Sequence, residues 1–221
     1  MLRIEFFHDV ICSFCFPMSA RMRTLASRHS DIEITHRSFA LGWEEEDFIR
    51  MFGSRKAVKK EVLSHWEQAN RNDDAHRFNI EGMASANFDF PLSKAPLIAA
   101  KAAGMLGGES AYWDAFDRIQ CKLFVENQDI EDFSVLKEAV RETGVDVKSW
   151  EEKFYDSETE RAVRADIKRA AEYGVHSVPT LVIDGTYKVS GALPLDRLEQ
   201  ILEDIRRKSG SNGLWNGMSN I

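Results

Sequence analysis

The chain has 221 residues, of which 43% are hydrophobic and 29% charged, and its formal net charge is −7. This composition indicates a globular protein of one or two domains and argues against a disordered or fibrous chain. The negative charge does not support a nucleic-acid or anionic-membrane partner. Because Glu5 interrupts the first apolar stretch and no run approaches ~18 apolar residues, we predict no signal peptide, no membrane span and a cytoplasmic protein.

Residues 1–43 alternate between strand and helix patterns. Apolar and polar residues alternate over 2–6, which predicts a β-strand. Apolar residues then recur at helical spacing over 18–28, and a second alternating stretch covers 32–35. The sequence therefore predicts a β-α-β unit with two cysteines at the start of its helix.

Residues 44–157 have an almost wholly helical pattern. The strongest helical stretches in this part cover 54–70, 93–106, 110–125 and 133–143. Gly107 and Gly108 separate the second stretch from the third. Because strand signals are scarce here, we predict one long all-helical insertion that forms its own layer.

Residues 158–208 contain the remaining sheet elements. A helical pattern precedes two short strand patterns, which Asp184 and Gly185 join by a predicted hairpin turn, and a terminal helix follows Pro194. Short connections favour pairing of sequence neighbours, so the whole pattern predicts an α/β fold with a mixed sheet and a large helical insertion. Residues 209–221 are rich in Ser, Gly and Asn and are predicted to form a flexible tail.

The pair Cys12 and Cys15 is the main chemical feature of the sequence. Disulfide exchange needs a thiolate that attacks and a second thiol that resolves the mixed disulfide. A Cys-x-x-Cys pair at a helix start supplies both, because the first-turn N–H groups and the helix dipole stabilise negative charge at the first cysteine. We predict that Cys12 is the nucleophile and Cys15 the resolving thiol, and that Cys121 is an inert thiol.

Half of a zinc site and two ordinary buried cysteines are the alternatives to a redox pair. A structural zinc site needs four ligands, and the sequence has no second Cys-x-x-Cys or His-x-x-x-His pair, so no metal is predicted. Beside the thiols, Phe14 is predicted to form an apolar surface that grips protein substrates. For Phe16, the same surface and the core are equally good predictions.

Two segments resemble a known family. Residues 8–15, with the sequence HDVICSFC, resemble the active-site segment of DsbA-family thioredoxin-like proteins, especially the cytosolic FrnE-like branch. Residues 174–180, GVHSVPT, are similar to that family's cis-proline loop, and 189–192 to the segment after its closing hairpin. The resemblance extends over nearly the whole chain up to Lys208. It implies a thioredoxin-like mixed sheet with an all-helical insertion, in agreement with the pattern above.

The resemblance also implies roles in the second segment. Pro179 would be cis and face the cysteines, and the backbone of Val178 would pair with a substrate peptide as an added strand. The alternative is a trans proline that opens a strand. The sequence departs from the family pattern at Ser177, where glycine is common, and at His8, where serine is common, so both local geometry and proton handling are open there.

Four side chains are candidates for proton handling. Many thioredoxin-like sites keep a buried carboxylate near the second thiol, and Glu5 and Asp9 are the candidates for that proton acceptor. In the alternatives, Glu5 faces solvent and Asp9 caps the helix. His8 stands where the family commonly has serine, so it is a third candidate. His176 is the fourth, and it would influence the thiolate if it pointed inward rather than lying on the surface.

The leading hypothesis is an enzyme that reduces, forms or isomerises disulfides in protein or peptide substrates through Cys12 and Cys15. It needs no bound cofactor, and glutathione or a thioredoxin-type protein is the expected redox partner. Two alternatives stay open. One is a glutathione-dependent kappa-type transferase or isomerase, although those proteins generally use a lone serine, and the other is a chaperone-like polypeptide-binding module. The direction of the redox reaction, the physiological substrate and the oligomeric state are left open.

Overall fold

The computed structural model describes the backbone of residues 1–215 and the side chains of residues 1–208. The elements are β1 (Leu2–His8), α1 (Cys15–Arg28), β2 (Ile32–Ser38), α2 (Glu45–Phe52), α3 (Arg55–Asn72), α4 (Ile80–Ser85), α5 (Lys94–Phe124), α6 (Phe133–Glu142), α7 (Val147–Phe154), α8 (Ser157–Glu172), β3 (Thr180–Ile183), β4 (Tyr187–Ser190) and α9 (Leu195–Trp215). Within the described part, no helix is both long enough and apolar enough to cross a membrane.

The strands form one mixed sheet in the order β2-β1-β3-β4. The central strand β1 pairs parallel with β2 and antiparallel with β3, and β4 closes the sheet against β3. Asp184 and Gly185 both have positive φ in the turn between β3 and β4, a conformation that suits a tight hairpin. The predicted mixed sheet with a large helical insertion is confirmed.

Helices α1 and α9 cover one face of the sheet. Met18 and Met22 of α1 and Leu198 of α9 are buried against Ile4 and Phe6 of β1. Each fully buried side chain of this size stabilises the fold by roughly 1.5–3 kcal/mol. Because β1 is a central strand and lies in the middle of this core, the loop that follows it starts from a fixed position at the carboxyl end of that strand.

The insertion packs around α5, which carries much of the largest apolar cluster of the chain. Gly108 lies within α5 but has non-helical backbone angles (φ 72°, ψ −163°), so the helix is broken where the glycine pair was predicted to end one helix. The short helices α2, α4 and α7 were not among the predicted stretches. Six to eight residues contain too few turns to show a helical period clearly.

Helix α9 continues to Trp215, past the predicted start of the flexible tail after Lys208. The rest of that predicted tail, residues 216–221, lies outside the described residues. The predicted domain boundaries after residues 43 and 157 stay predictions, although α2 and α8 begin close to them.

Candidate active site

The two cysteines lie at the junction of β1 and α1, in a segment that we call the cysteine loop (residues 9–15). The backbone N–H of Cys12 donates to the Asp9 carbonyl (3.1 Å), and that of Cys15 donates to the Cys12 carbonyl (3.0 Å). Cys12 therefore precedes the helix, and Cys15 is its first residue. Both thiols are free, but Cys12 is 6% exposed whereas Cys15 is completely buried. Of the two thiols, Cys12 is therefore the more accessible to a substrate.

A second loop meets Cys12 from the other end of the chain. The peptide bond between Val178 and Pro179 is cis. The Cys12 thiol donates to the Val178 carbonyl oxygen, with Sγ and O 3.5 Å apart. This contact follows from the topology, because the antiparallel pairing of β1 and β3 places the end of one strand beside the start of the other. Val178 is half-buried. Its backbone carbonyl lies next to Cys12, the more accessible of the two thiols.

Asp9 lies in the same loop, with a fully buried carboxyl group. This group accepts hydrogen bonds from the Leu41 N–H (2.6 Å), the Ser93 hydroxyl (2.7 Å) and the Ile11 N–H (3.3 Å). Burial raises its pKa to about 6, although these hydrogen bonds favour the ionised form. Asp9 does not cap α1, because the N-cap position is Phe14 and no side chain bonds to the first turn. The helix-capping interpretation of Asp9 is therefore wrong.

The surroundings of the Cys15 thiol shift its pKa. Burial raises its pKa well above the usual value and the neighbouring Cys12 adds to the rise, whereas at Asp9 a backbone hydrogen bond lowers the pKa and the charge of the carboxylate raises it. An ionised carboxylate and a thiol that holds its proton are thus coupled within one dry loop. Of the four candidates for proton handling, Asp9 is the one that belongs to the cysteine loop, where its backbone carbonyl accepts from the Cys12 N–H and its charge acts on the pKa of Cys15.

Glu5 belongs to a separate ion-pair cluster on β1. Its carboxylate accepts hydrogen bonds from Arg37 (2.7 Å), from Arg169 (2.5 and 2.8 Å) and from the Tyr173 hydroxyl (2.8 Å). Burial acts to raise its pKa, but these hydrogen bonds outweigh burial and lower the pKa to about 2. Glu5 is therefore neither free in solvent nor basic enough to take a thiol proton near neutral pH.

This cluster predicts an acid-sensitive contribution to stability. Because the folded pKa of Glu5 lies below its ordinary value of 4.5, its stabilising effect is full above pH 4.5 and disappears as the pH falls towards 2. Glu5→Gln should lower the free energy of unfolding at pH 7 by about 1–2 kcal/mol, after allowance for solvent screening, and have little effect at pH 2. Urea denaturation across this range is the measurement. The exposed Glu67→Gln is the control, and an equal loss at both pH values would contradict the prediction.

The two candidate histidines have different surroundings. His8 is fully buried and stacks between Phe6 and Phe116, with ring centroids 4.3 and 3.8 Å away. Burial lowers its pKa well below the usual value, so the ring is neutral near pH 7, and its Nε2 lies 3.3 Å from Nδ1 of His36. His176 is exposed, as its surface alternative predicted. The positions therefore assign His8 to the aromatic core and His176 to the surface.

An apolar groove of about 250 Å³ opens beside Cys12. Phe14 and Leu41 form part of its wall, and the helical insertion supplies most of the rest, including Phe48, Met51, Phe52, Trp66 and Phe90. His65 is the one titratable side chain other than Cys12 in the lining within the described residues. Phe16 does not line the groove; it is buried against Phe78, with ring centroids 5.4 Å apart. Phe16 is thus a core residue.

Sequence reasoning missed two polar residues that touch the cysteine loop. Ser93 bonds to the Asp9 carboxylate, and Gln120 donates to backbone carbonyls of the loop. They lie 84 and 111 positions from Asp9, in no motif, so only the packing of the insertion reveals them. Within residues 1–208, no group of three His, Cys, Asp or Glu side chains is arranged to hold a metal ion.

The fold and this site define a class of protein. Residues 3–203 match the family model of the DSBA-like thioredoxin domain, and the chain belongs to this family. The resemblance to the DsbA family and the thioredoxin-like fold are confirmed, while the FrnE-like branch stays a prediction.

Particular relatives add detail. The ClpXP adapter protein SpxH of Bacillus subtilis (strain 168) is 28% identical over 211 residues, which cover 91% of this chain and 66% of that protein. The chain thus spans about two thirds of the length of that curated relative. A putative protein disulfide isomerase from Nitrosomonas europaea superposes with a TM-score of 0.77 at 17% identity, over 94% of this chain and 98% of that one. The cytosolic disulfide reductase DsbM from Pseudomonas aeruginosa superposes with a TM-score of 0.69 at 19% identity, over 93% of this chain and 98% of that one. These structures share the fold.

Proposed function

We propose that the chain is a thiol-disulfide oxidoreductase that acts on protein or peptide substrates through Cys12 and Cys15. The observation that carries the proposal is the arrangement of the pair: the more accessible thiol contacts the backbone of Val178, and the second thiol is buried one turn behind it. Membership of the DSBA-like thioredoxin family supports the same conclusion.

The proposed reaction is reversible disulfide exchange. The Cys12 thiolate attacks one sulfur of a substrate disulfide, a bond forms between Cys12 and the substrate, and the other substrate sulfur leaves as a thiolate. Cys15 then gives its proton to the Asp9 carboxylate and attacks the Cys12 sulfur. This step closes a disulfide between Cys12 and Cys15 and releases the second substrate thiolate. Overall the substrate disulfide gains two electrons and becomes two thiols, and the reverse sequence forms a disulfide.

Substrate binding would use two surfaces next to Cys12. The backbone of Val178, fixed by Pro179, is the proposed partner of an extended substrate segment, which would add to the fold as a short strand. The apolar groove with Phe14 would hold side chains beside the substrate cysteine. A segment of unfolded polypeptide carries both features, so unfolded or flexible protein regions are the proposed substrates.

The proposed redox partner is glutathione or a thioredoxin-type protein, and the proposed location is the cytoplasm. DsbM supports both as a structural relative, since it is described as cytosolic and one of its structures is of the protein with GSH. No bound cofactor takes part in the proposed reaction, because the two thiols exchange electrons directly with the substrate.

A second candidate function is polypeptide binding without redox chemistry. The groove beside Cys12 favours it, since apolar walls bind apolar side chains whether or not a thiol reacts. The SpxH relatives are named as adapter proteins of ClpXP, which is a binding role. A variant in which both cysteines are serine distinguishes the two candidates, because it removes disulfide exchange and leaves the groove intact.

The experiment that tests the proposed function is measurement of the reduction potential of the pair. The protein is equilibrated in glutathione buffers, alkylated and analysed by mass spectrometry, with Cys121→Ser as a background that leaves only the pair. We expect one reversible two-electron couple. A value near about −270 mV would define a reductase, and one near about −120 to −180 mV an oxidase or isomerase. Absence of a reversible disulfide between Cys12 and Cys15 would refute the proposed function.

A further inference from the structure

Gln120 of α5 directs a buried amide at the cysteine loop. The residue is fully buried. Its Nε2 lies 3.2 Å from the Val10 carbonyl oxygen and 3.5 Å from those of Asp9 and Cys12. Its Oε1 is buried and has no hydrogen-bond partner among the described residues. A residue of the insertion thus offers its donors to three carbonyls of the loop that carries the nucleophile.

The carbonyls that Gln120 contacts differ in their other partners. The Asp9 carbonyl also accepts from the Cys12 N–H, and the Cys12 carbonyl also accepts from the Cys15 N–H. The Val10 carbonyl has no second protein donor among the contacts described. A buried carbonyl without a donor costs about 1–3 kcal/mol, so the loop conformation depends on this amide.

Packing alone does not account for the residue. An apolar side chain of similar shape would fill the same space in the insertion without leaving an unpaired Oε1 in a dry interior. The buried polar atom is tolerated at a position whose amide reaches the backbone of the nucleophile itself. This points to a role in the chemistry of the loop rather than in the core of the insertion.

We propose that Gln120 is a positioning residue for the redox pair: by donating to the carbonyls of the cysteine loop, it holds Cys12 in place and offsets the carbonyl dipoles beside its thiolate. The inference rests on the proposed function. Partial negative charges at the loop carbonyls repel a thiolate, and in a dry site the effect of a neutralising donor is larger than in water. Loss of the donor therefore disfavours the reduced pair relative to its disulfide.

The test compares Gln120→Met with the parent in glutathione buffers. Methionine keeps the length and volume of the side chain and removes both donors. We expect the equilibrium to shift towards the Cys12–Cys15 disulfide on the order of tenfold, which corresponds to about 30 mV for a two-electron couple. Ile119→Val, a neighbouring buried position on the same helix, is the matched control for loss of packing. It should lower thermal stability and leave the redox equilibrium unchanged.

The outcomes separate the inference from the proposed function. If the parent forms no reversible disulfide, the proposed function fails. If the parent pair is reversible and Gln120→Met stays within twofold of the parent, the positioning role of Gln120 is refuted and the proposed function stands.

A second variant covers the case in which Gln120→Met does not fold. Gln120→Glu has the same shape, and its introduced carboxyl group places negative charge against the loop carbonyls when it ionises. We expect its redox equilibrium to shift towards the disulfide, and the shift to grow as the pH rises. A pH profile identical to that of the parent would refute the positioning role.

Discussion

Cys15→Ser is expected to trap substrates as mixed disulfides on Cys12. The accessible thiol can still attack a substrate disulfide, but the thiol that should release the product is gone, and a serine hydroxyl cannot take its place. Cys12→Ser should instead reduce turnover to the background rate, because the remaining thiol at Cys15 is fully buried and its raised pKa keeps it protonated. Non-reducing electrophoresis and peptide mapping of the trapped adducts are the measurements.

Two controls define what this result means. Cys121→Ser should behave like the parent, since that residue lies outside the cysteine loop. The double variant Cys12→Ser plus Cys15→Ser tests the polypeptide-binding candidate, which predicts undiminished protection of a thiol-free client from aggregation. Complete loss of that protection would eliminate the binding candidate. Adducts that form on Cys15 when Cys12 is intact would reverse the assigned roles of the two thiols.

The second large effect is expected at Asp9. Asp9→Asn removes a buried carboxylate of the cysteine loop, whose charge acts to raise the pKa of Cys15. A general base contributes typically 10²–10⁴-fold, so the resolution of a preformed mixed disulfide should slow by about 100-fold at pH 7. In the parent this step should also slow as the pH falls below about 6, where the carboxyl group takes up a proton. Rapid-quench kinetics from pH 5 to 8 should show this fall in the resolution rate in the parent and not in the variant.

The same variant should be more stable than the parent. The folded pKa of Asp9 is about 6, above its ordinary value of 3.8, so the parent loses stability as the pH rises from 3.8 through 6. A neutral side chain escapes that loss, but its amide group places a donor against one of the donors that the carboxylate faces, so above pH 6 the net gain should stay below about 3 kcal/mol. Ser93→Ala is a useful contrast, since it removes one hydrogen bond to the carboxylate while keeping the base. An Asp9→Asn variant that resolves the mixed disulfide as fast as the parent, and that is no more stable than the parent, would contradict the assignment of Asp9 as the general base.

Local patterns were sufficient to predict the strands β1 and β3, the helix that follows the cysteines and the hairpin. Each of these predictions rests on a signal within one short segment: an apolar period in β1 and in the helix, an apolar run in β3 and the Asp-Gly turn in the hairpin. The chemistry of Cys12 and Cys15 was equally local, since their spacing and their position after a strand lie within a few residues.

The environment of the site was harder to predict because it depends on contacts between distant segments. Nothing in the sequence near Asp9 indicates that Ser93 will bond to its carboxylate or that Gln120 will bond to its carbonyl. His8 is a partial exception. It continues the inward alternation of Ile4 and Phe6, so the strand pattern alone could have assigned it to the core rather than to proton handling.

The groove beside Cys12 has walls and a reactive atom that come from different parts of the chain. The thiol belongs to the loop after β1, whereas most of the apolar wall belongs to the segment between β2 and α5. Under the proposed function, substitutions along α2 and α3 would therefore change which substrates the groove holds and leave the two thiols in place.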